Sequence, residues 1–318
     1  MIHPASRPYV WMLCGSFSFS MMAEFAHVLT QKCDWLTVTI ARAGLVALFA
    51  AVIAYSVGAR LVFVGPLRLW IRSIAGSCSM LATFYSFSQL PAADVLTLTN
   101  TFPIWVAILS WPLYGTPPSP KMLVAMLVGV MGVALVEQPH LEAGNRGVFS
   151  ALGAALFTAV AMLGLHSLKG IDPRAIVVHF SMVATIFGLG AYLIAVQMGK
   201  ITPNPAQLSE PGVLLQFIGM AITATTGQLL LTLAFRSGAP DKVSVVGLTQ
   251  IVMVLGLDAW LWKREVNAMT ILGTLLVFAP TAWLLTRPPQ TKGPMRAPKG
   301  PTVAVSQGPT QAAASLPR

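Results

Sequence analysis

Charge is scarce in these 318 residues. Asp, Glu, Lys and Arg together make up 9% of the chain, against about 25% in an ordinary soluble protein. So few charges cannot cover a globular surface in water, and a hydrophobic content of 55% points the same way. A soluble enzyme and a disordered chain are both excluded. Acids are scarcer still: 10 Asp and Glu stand against 20 Lys and Arg, a formal net charge of +10. That excess does not describe a nucleic-acid binder, which gathers its Lys and Arg on one solvated face. Here the basic residues punctuate apolar runs. Cysteine is limited to Cys14, Cys33 and Cys78, an odd count with no CxxC spacing. Small packed residues are expected from these, not metal ligands or a disulfide framework. HExxH, GxSxG, P-loop and clustered acidic pairs are all missing. No catalytic residue, metal, cofactor or nucleotide site is therefore expected.

What fills the chain is a series of charge-free gaps, such as Arg7 to Glu24, Arg42 to Arg60, Arg146 to Lys169, Arg174 to Lys200 and Glu265 to Arg287. A hydrocarbon core needs about 20 mostly apolar residues as helix, and the gaps are of that order. Within lipid every backbone group needs an internal partner, and alternation at period two, the mark of a lipid-exposed barrel, is absent. The sequence predicts an all-α membrane protein with ten transmembrane helices at 9–29, 36–56, 67–88, 92–114, 121–137, 147–167, 174–198, 212–235, 242–262 and 266–286. The first has no clear small-x-small cleavage site and is read as a helix that stays. Beyond it all, 287–318 turns to Pro, Gly, Lys, Gln, Ser and Ala, a composition that predicts a disordered basic tail. Lys and Arg in alternate loops set orientation. One side collects Arg7, Arg60, Arg68, Lys121, Lys169, Arg174, Arg236, Lys242 and the basic tail; the other collects Lys32, Arg146, Lys200, Lys263 and Arg264. Both termini are expected in the cytoplasm, in a plasma (inner) membrane.

The halves echo each other. FYSFSQLPAADVLTLTNTFPIW in the first answers to LTLAFRSGAPDKVSVVGLTQIV in the second, each a helix ending on a Pro-containing turn with an Asp. LVAMLVGVMGVALV answers to MTILGTLLVFAPTAWLL. Five helices is an odd number, so the second copy enters the membrane upside down, the inverted-repeat logic of secondary transporters. The expected repeats are 9–137 and 147–286. The same residues resemble a family. GSFSFSMMAEFAHVLTQKCDWLTVTIARAGLVALF, with Arg42, and RSIAGSCSMLATFYSFSQLPAADVLTLTNTFPIWVAIL, with Arg72, Asp94 and Pro103, are similar to the first four helices of EamA-like members of the drug/metabolite transporter superfamily. GVMGVALVEQP, Gln228, the Ala-Pro-Asp turn, Gln250 and Gly273 continue the likeness over roughly residues 10–286. It departs at Gly115-Thr116 and Lys263-Arg264-Glu265, where relatives commonly close on Gly-Glu, and at His166, where they often carry Arg. The resemblance implies a ten-helix carrier of a small molecule: an amino acid, a nucleoside-type metabolite, a sugar or a drug. A secondary transporter, an exporter working by alternating access, is the leading expectation. An intramembrane enzyme, which would need His166 or Asp258 as its catalytic group, and a receptor or structural membrane protein are the rivals. The bilayer, a coupling proton and a second copy in a homodimer are the remaining expected partners; nucleic acid is not one.

Polar residues inside the helices are the candidates for the solute or ion path, because a charge at the bilayer centre costs at least ~2.5–3.5 kcal/mol. Glu24, Arg42 and Asp258 all fall within ~6–9 Å of one face. A Glu24–Arg42 pair across the first two helices is the leading expectation, and independent snorkelling of each to the headgroups is the alternative. Arg72 lies about a turn from the opposite face and is expected mainly as an anchor there, with contact to a substrate anion the minority reading. Asn100, beside Pro103, falls near the midplane, where a proline frees a carbonyl, and Gln250 holds the matching place in the second half. The pair could line the cavity or simply bond between helices. Gln228 is a further minority candidate. His27, His166 and His179 are expected as unclustered interface residues, with a proton relay the minority reading. Asp258 is favoured over Glu24 for proton coupling: no base lies within a turn on its N-terminal side, and Lys263 can extend into water.

Overall fold

The computed structural model describes residues 6–87, 89–90, 92–115, 117–139, 146–201 and 210–286, and the basic tail expected over 287–318 lies outside them. The described residues are helical, with no strand among them. The helices are α1 (Arg7–Thr30), α2 (Trp35–Ser56), α3 (Leu67–Phe87), α4 (Ala92–Thr99), α5 (Phe102–Tyr114), α6 (Pro120–Glu137), α7 (Arg146–His166), α8 (Pro173–Gln197), α9 (Pro211–Ser237), α10 (Pro240–Gly247), α11 (Thr249–Leu261) and α12 (Ala268–Thr286). Their ends follow local chemistry. Asp34 accepts from the Thr37 N–H at 2.9 Å, and Asp172 from that of Arg174 at 2.8 Å. Such caps satisfy donors that the first helical turn leaves free. Pro120, Pro173, Pro211 and Pro240 open their helices, where a missing N–H costs nothing. At the far end of α5, Gly115 takes a φ of +67°, which a residue without Cβ adopts freely.

Two expected helices are each broken in the middle. The fourth pass is α4 followed by α5, and the ninth is α10 followed by α11. The first break falls at Asn100–Thr101, just before Pro103, and side chains there bond back onto carbonyls of α4: Asn100 Nδ2 donates to Leu96 O at 2.8 Å and Thr101 Oγ1 to Leu98 O at 2.6 Å. At the second, Thr249 Oγ1 donates to Val246 O at 2.7 Å. Counting each broken pair once gives ten passes. Nine stretches among the described residues are long and apolar enough to cross a bilayer. The tenth, α3, has the length at 21 residues but is more polar, carrying Arg68, Arg72, Ser73, Ser77 and Ser79.

The outer surface is apolar. Leu48, Val52, Ile108, Leu193, Ile194 and Leu275 are exposed, as suits side chains that meet lipid rather than water. Trp260 and Trp262 are exposed near the end of α11, a place where amphipathic rings meet headgroups. Inside, α1 packs on α9, α3 on α7, α2 on α8 and α6 on α12. Exchanging each pass for the one five later leaves this set of pairs unchanged. At the α6–α12 contact backbone meets backbone: a Cβ at Gly132 would lie 2.8 Å from Gly273 O, and one at Gly273 would lie 2.6 Å from Gly132 O. Two backbones touch here because neither position carries a side chain.

Candidate functional site: a cavity between the two halves

A cavity of about 240 Å³ lies among α2, α3, α7, α8 and α9, so both halves build it. Arg42 enters from α2. Arg72, Gly76, Ser79, Met80, Thr83 and Phe84 come from α3, Thr158, Ala161 and Met162 from α7, Phe180 from α8 and Gln228 from α9. A larger hollow of about 410 Å³ is lined by Val124, Val128, Pro280 and Trp283, with Lys121 its one charge; its walls suit an acyl chain. The smaller cavity is the one with convergent polar groups, the usual mark of a binding site.

Two guanidinium groups line it, and no carboxylate does. Arg72 is 1% exposed, and none of its three side-chain nitrogens has a hydrogen-bond partner among the described residues. Its guanidinium lies over the face of Phe180, 3.8 Å from the guanidinium carbon to the ring centroid. A cation over a ring is worth about 0.5–2 kcal/mol, whereas taking an ion out of water costs several. The ring does not balance the burial. Arg42 fares little better, donating from Nε to the weak acceptor Met22 Sδ at 3.0 Å. The scaffold makes room for Arg72 from both sides: a Cβ at Gly164 would lie 2.9 Å from its Cβ, and one at Gly76 would lie 3.0 Å from its Nη1. Nearby hydroxyls are already engaged, Ser79 Oγ with Ala154 O at 2.9 Å and with Thr158 Oγ1 at 2.6 Å.

Several sequence expectations change here. Arg42 and Glu24 form no ion pair; Glu24 is buried and Glu24 Oε2 accepts from Trp262 Nε1 at 2.6 Å instead. The two helices place these residues at similar depth but turn them to different neighbours. Arg72 is sealed inside and does not reach an interface as an anchor. Asn100 and Gln250 do not line the cavity; Asn100 is spent on its own helix, and the Gln250 carbonyl accepts from Ser20 Oγ at 3.2 Å. Asp258 is not free of bases. Lys263 adopts a φ of +59°, and this turn brings Arg264 Nη1 back to Asp258 Oδ2 at 3.1 Å while Nη2 lies 3.6 Å from Glu137 Oε2. The ground for preferring Asp258 as a coupling carboxylate falls with that contact. The histidines stand apart. His27 meets Trp262 edge-on, His166 Nδ1 lies 3.2 Å from Phe235 O, and buried His179 bonds Ser73 Oγ at 2.8 Å beside Trp70. Gln228 does line the cavity. Ser79, Thr83, Phe84, Thr158, Met162 and Phe180 were not singled out in advance, although the serine-rich polarity of α3 is a signal that this helix faces something other than lipid.

Comparison with known proteins settles the family. The model of the EamA-like transporter family matches twice, over residues 6–137 and 145–286. The chain belongs to the EamA-like transporter family. It is a multi-pass membrane transporter, not an enzyme. It is similar to the pseudopaline exporter CntI of Pseudomonas aeruginosa, 25% identical over 266 residues, 83% of this chain and 90% of that one. Human solute carrier family 35 member G1 is 21% identical over 235 residues, 68% of this chain and 62% of the relative. A solved crystal structure shares the fold with a TM-score of 0.76 at 14% identity, covering 87% of this chain and 98% of that chain.

Proposed function

We propose that this member of the family is a secondary transporter that carries a small solute out of the cytoplasm by alternating access, from an inner membrane with both termini on the cytoplasmic side. The observation that carries the reading is the cavity: helices of both halves line it, so rocking one half against the other would open it to either face in turn. The pairing of passes that survives a five-pass shift supports two copies in opposite orientation, with the broken passes α4–α5 and α10–α11 as their matched weak points. Outward direction is supported by the likeness to an exporter, and orientation by the distribution of Lys and Arg.

Metabolite profiling of cells with and without the chain tests this, followed by flux in proteoliposomes. At least one solute is expected to accumulate outside the expressing cells and to cross vesicle membranes only when the protein is present. Absence of net flux for every solute profiled would overturn the reading.

A further inference from the structure

We propose that the cavity binds a small organic acid, its carboxylate held between Arg42 and Arg72 and its apolar body against Met80, Phe84, Met162 and Phe180. The inference rests on the transport reading only in treating this cavity as the solute's station.

Its ground is a mismatch in the cavity's own chemistry. Arg72 is buried at 1% exposure with all three nitrogens unpartnered, and a second guanidinium shares the walls. Arginine has donors and no acceptor, and it stays protonated in proteins. Two arginines contribute to the lining of one hollow, and that lining holds no acid to offset their charge. A structural arginine would have been given a carboxylate or carbonyl. Here both halves give up side-chain volume, at Gly76 and Gly164, to admit the cation, yet apart from the Phe180 ring the lining supplies it no hydrogen-bond acceptor and no opposite charge. The missing member of the site is an oxyanion from outside, and planar guanidinium forks match carboxylate geometry. The remaining wall supplies the rest of the specificity. Two methionines and two phenylalanines offer an adaptable apolar surface, and about 240 Å³ equals roughly eight waters' share of liquid volume. That admits a compact acid with an aliphatic or aromatic body.

The same oxyanion chemistry could come from a lipid headgroup, and the test separates the two. Purified full-length protein is placed in nanodiscs of phosphatidylcholine, and thermal unfolding is followed with benzoate, phenylacetate, hydrocinnamate and succinate, and with the neutral amides of the first three. The acids with an apolar body are expected to raise the unfolding temperature and their amides to leave it unchanged. Arg72→Met and Arg42→Met should each weaken the response by about tenfold or more in apparent affinity. Arg72→Met without ligand should unfold at the same temperature as the parent or higher, because it removes a buried unpaired charge; a structural cation would show a clear drop. Overturning results are no response to any acid, an equal response to acid and amide, or a response indifferent to both arginines. A shift produced by phosphatidylglycerol nanodiscs alone, lost in Arg72→Met, would assign the site to lipid and overturn the solute version. In efflux profiling, solutes that are neutral or cationic would overturn this inference while leaving transport intact. No flux with an Arg72-dependent acid response would do the reverse.

Discussion

Glu24 and Arg42 show how a buried ionisable group chooses its partner. Glu24 lies six residues before the end of α1 and Arg42 seven after the start of α2, so each is ~9–11 Å deep by helical rise. Depth alone would let them meet. Rotation about the axis decides otherwise, giving Glu24 the indole of Trp262 and turning Arg42 into the cavity. A double-mutant cycle reads this directly. Glu24→Gln with Arg42→Gln should be additive within about 0.5 kcal/mol, whereas Glu24→Gln with Trp262→Phe should couple by between about 0.5 and 3 kcal/mol. Coupling in the first pair, or its absence in the second, would reverse the assignment. Depth was legible in the sequence and rotation was not, for a physical reason. In water the apolar stripe of a helix marks its buried face; in lipid every face is apolar, and the stripe vanishes. Arg264 was hidden differently. Its reach to Asp258 depends on the left-handed turn at Lys263, a conformation that a lysine does not advertise.

Among the elements, the ten passes could be read because charge-free gaps of bilayer length leave little freedom. The breaks could be read in part: Pro103 announces the first, but no proline stands at Leu248, where the second falls. The contact between α6 and α12 lay within reach of the sequence, since Gly132 and Gly273 occupy the matched fifth passes of the two halves. What the sequence could not supply is the closeness of the backbones, with a new Cβ on either glycine falling within 2.8 Å of the facing chain or nearer. Gly132→Ala or Gly273→Ala should therefore destabilise by about 1–3 kcal/mol through overpacking, measured as a lowered unfolding temperature in detergent. Gly153→Ala in α7, where an added Cβ meets nothing within 4 Å, is the control and should be neutral or mildly stabilising, since alanine is the better helix former. Equal effects at all three positions would mean that the α6–α12 contact is looser than its geometry.

At the scale of the whole molecule, the cavity and the repeat are one argument. A site lined by α2 and α3 from one half and α7, α8 and α9 from the other is complete only where the halves meet. In the proposed inverted repeat, an odd number of passes per half makes the two copies enter from opposite sides, the arrangement that alternating access uses. This predicts a topology that differs sharply from its alternatives. A reporter fused within 57–66, between α2 and α3, should report cytoplasm, and so should one placed after Arg287. A reporter within 199–210, between α8 and α9, should report the opposite side. The two inner loops occupy equivalent positions in their halves, after the second pass of each, so a direct repeat would put them on the same side and an inverted one on opposite sides. A shared side for the fusions at 57–66 and 199–210 would remove the inverted repeat, and with it the reason to expect both halves to move. Opposite sides, with the fusion at 57–66 outside, would keep the repeat and reverse the orientation inferred from Lys and Arg.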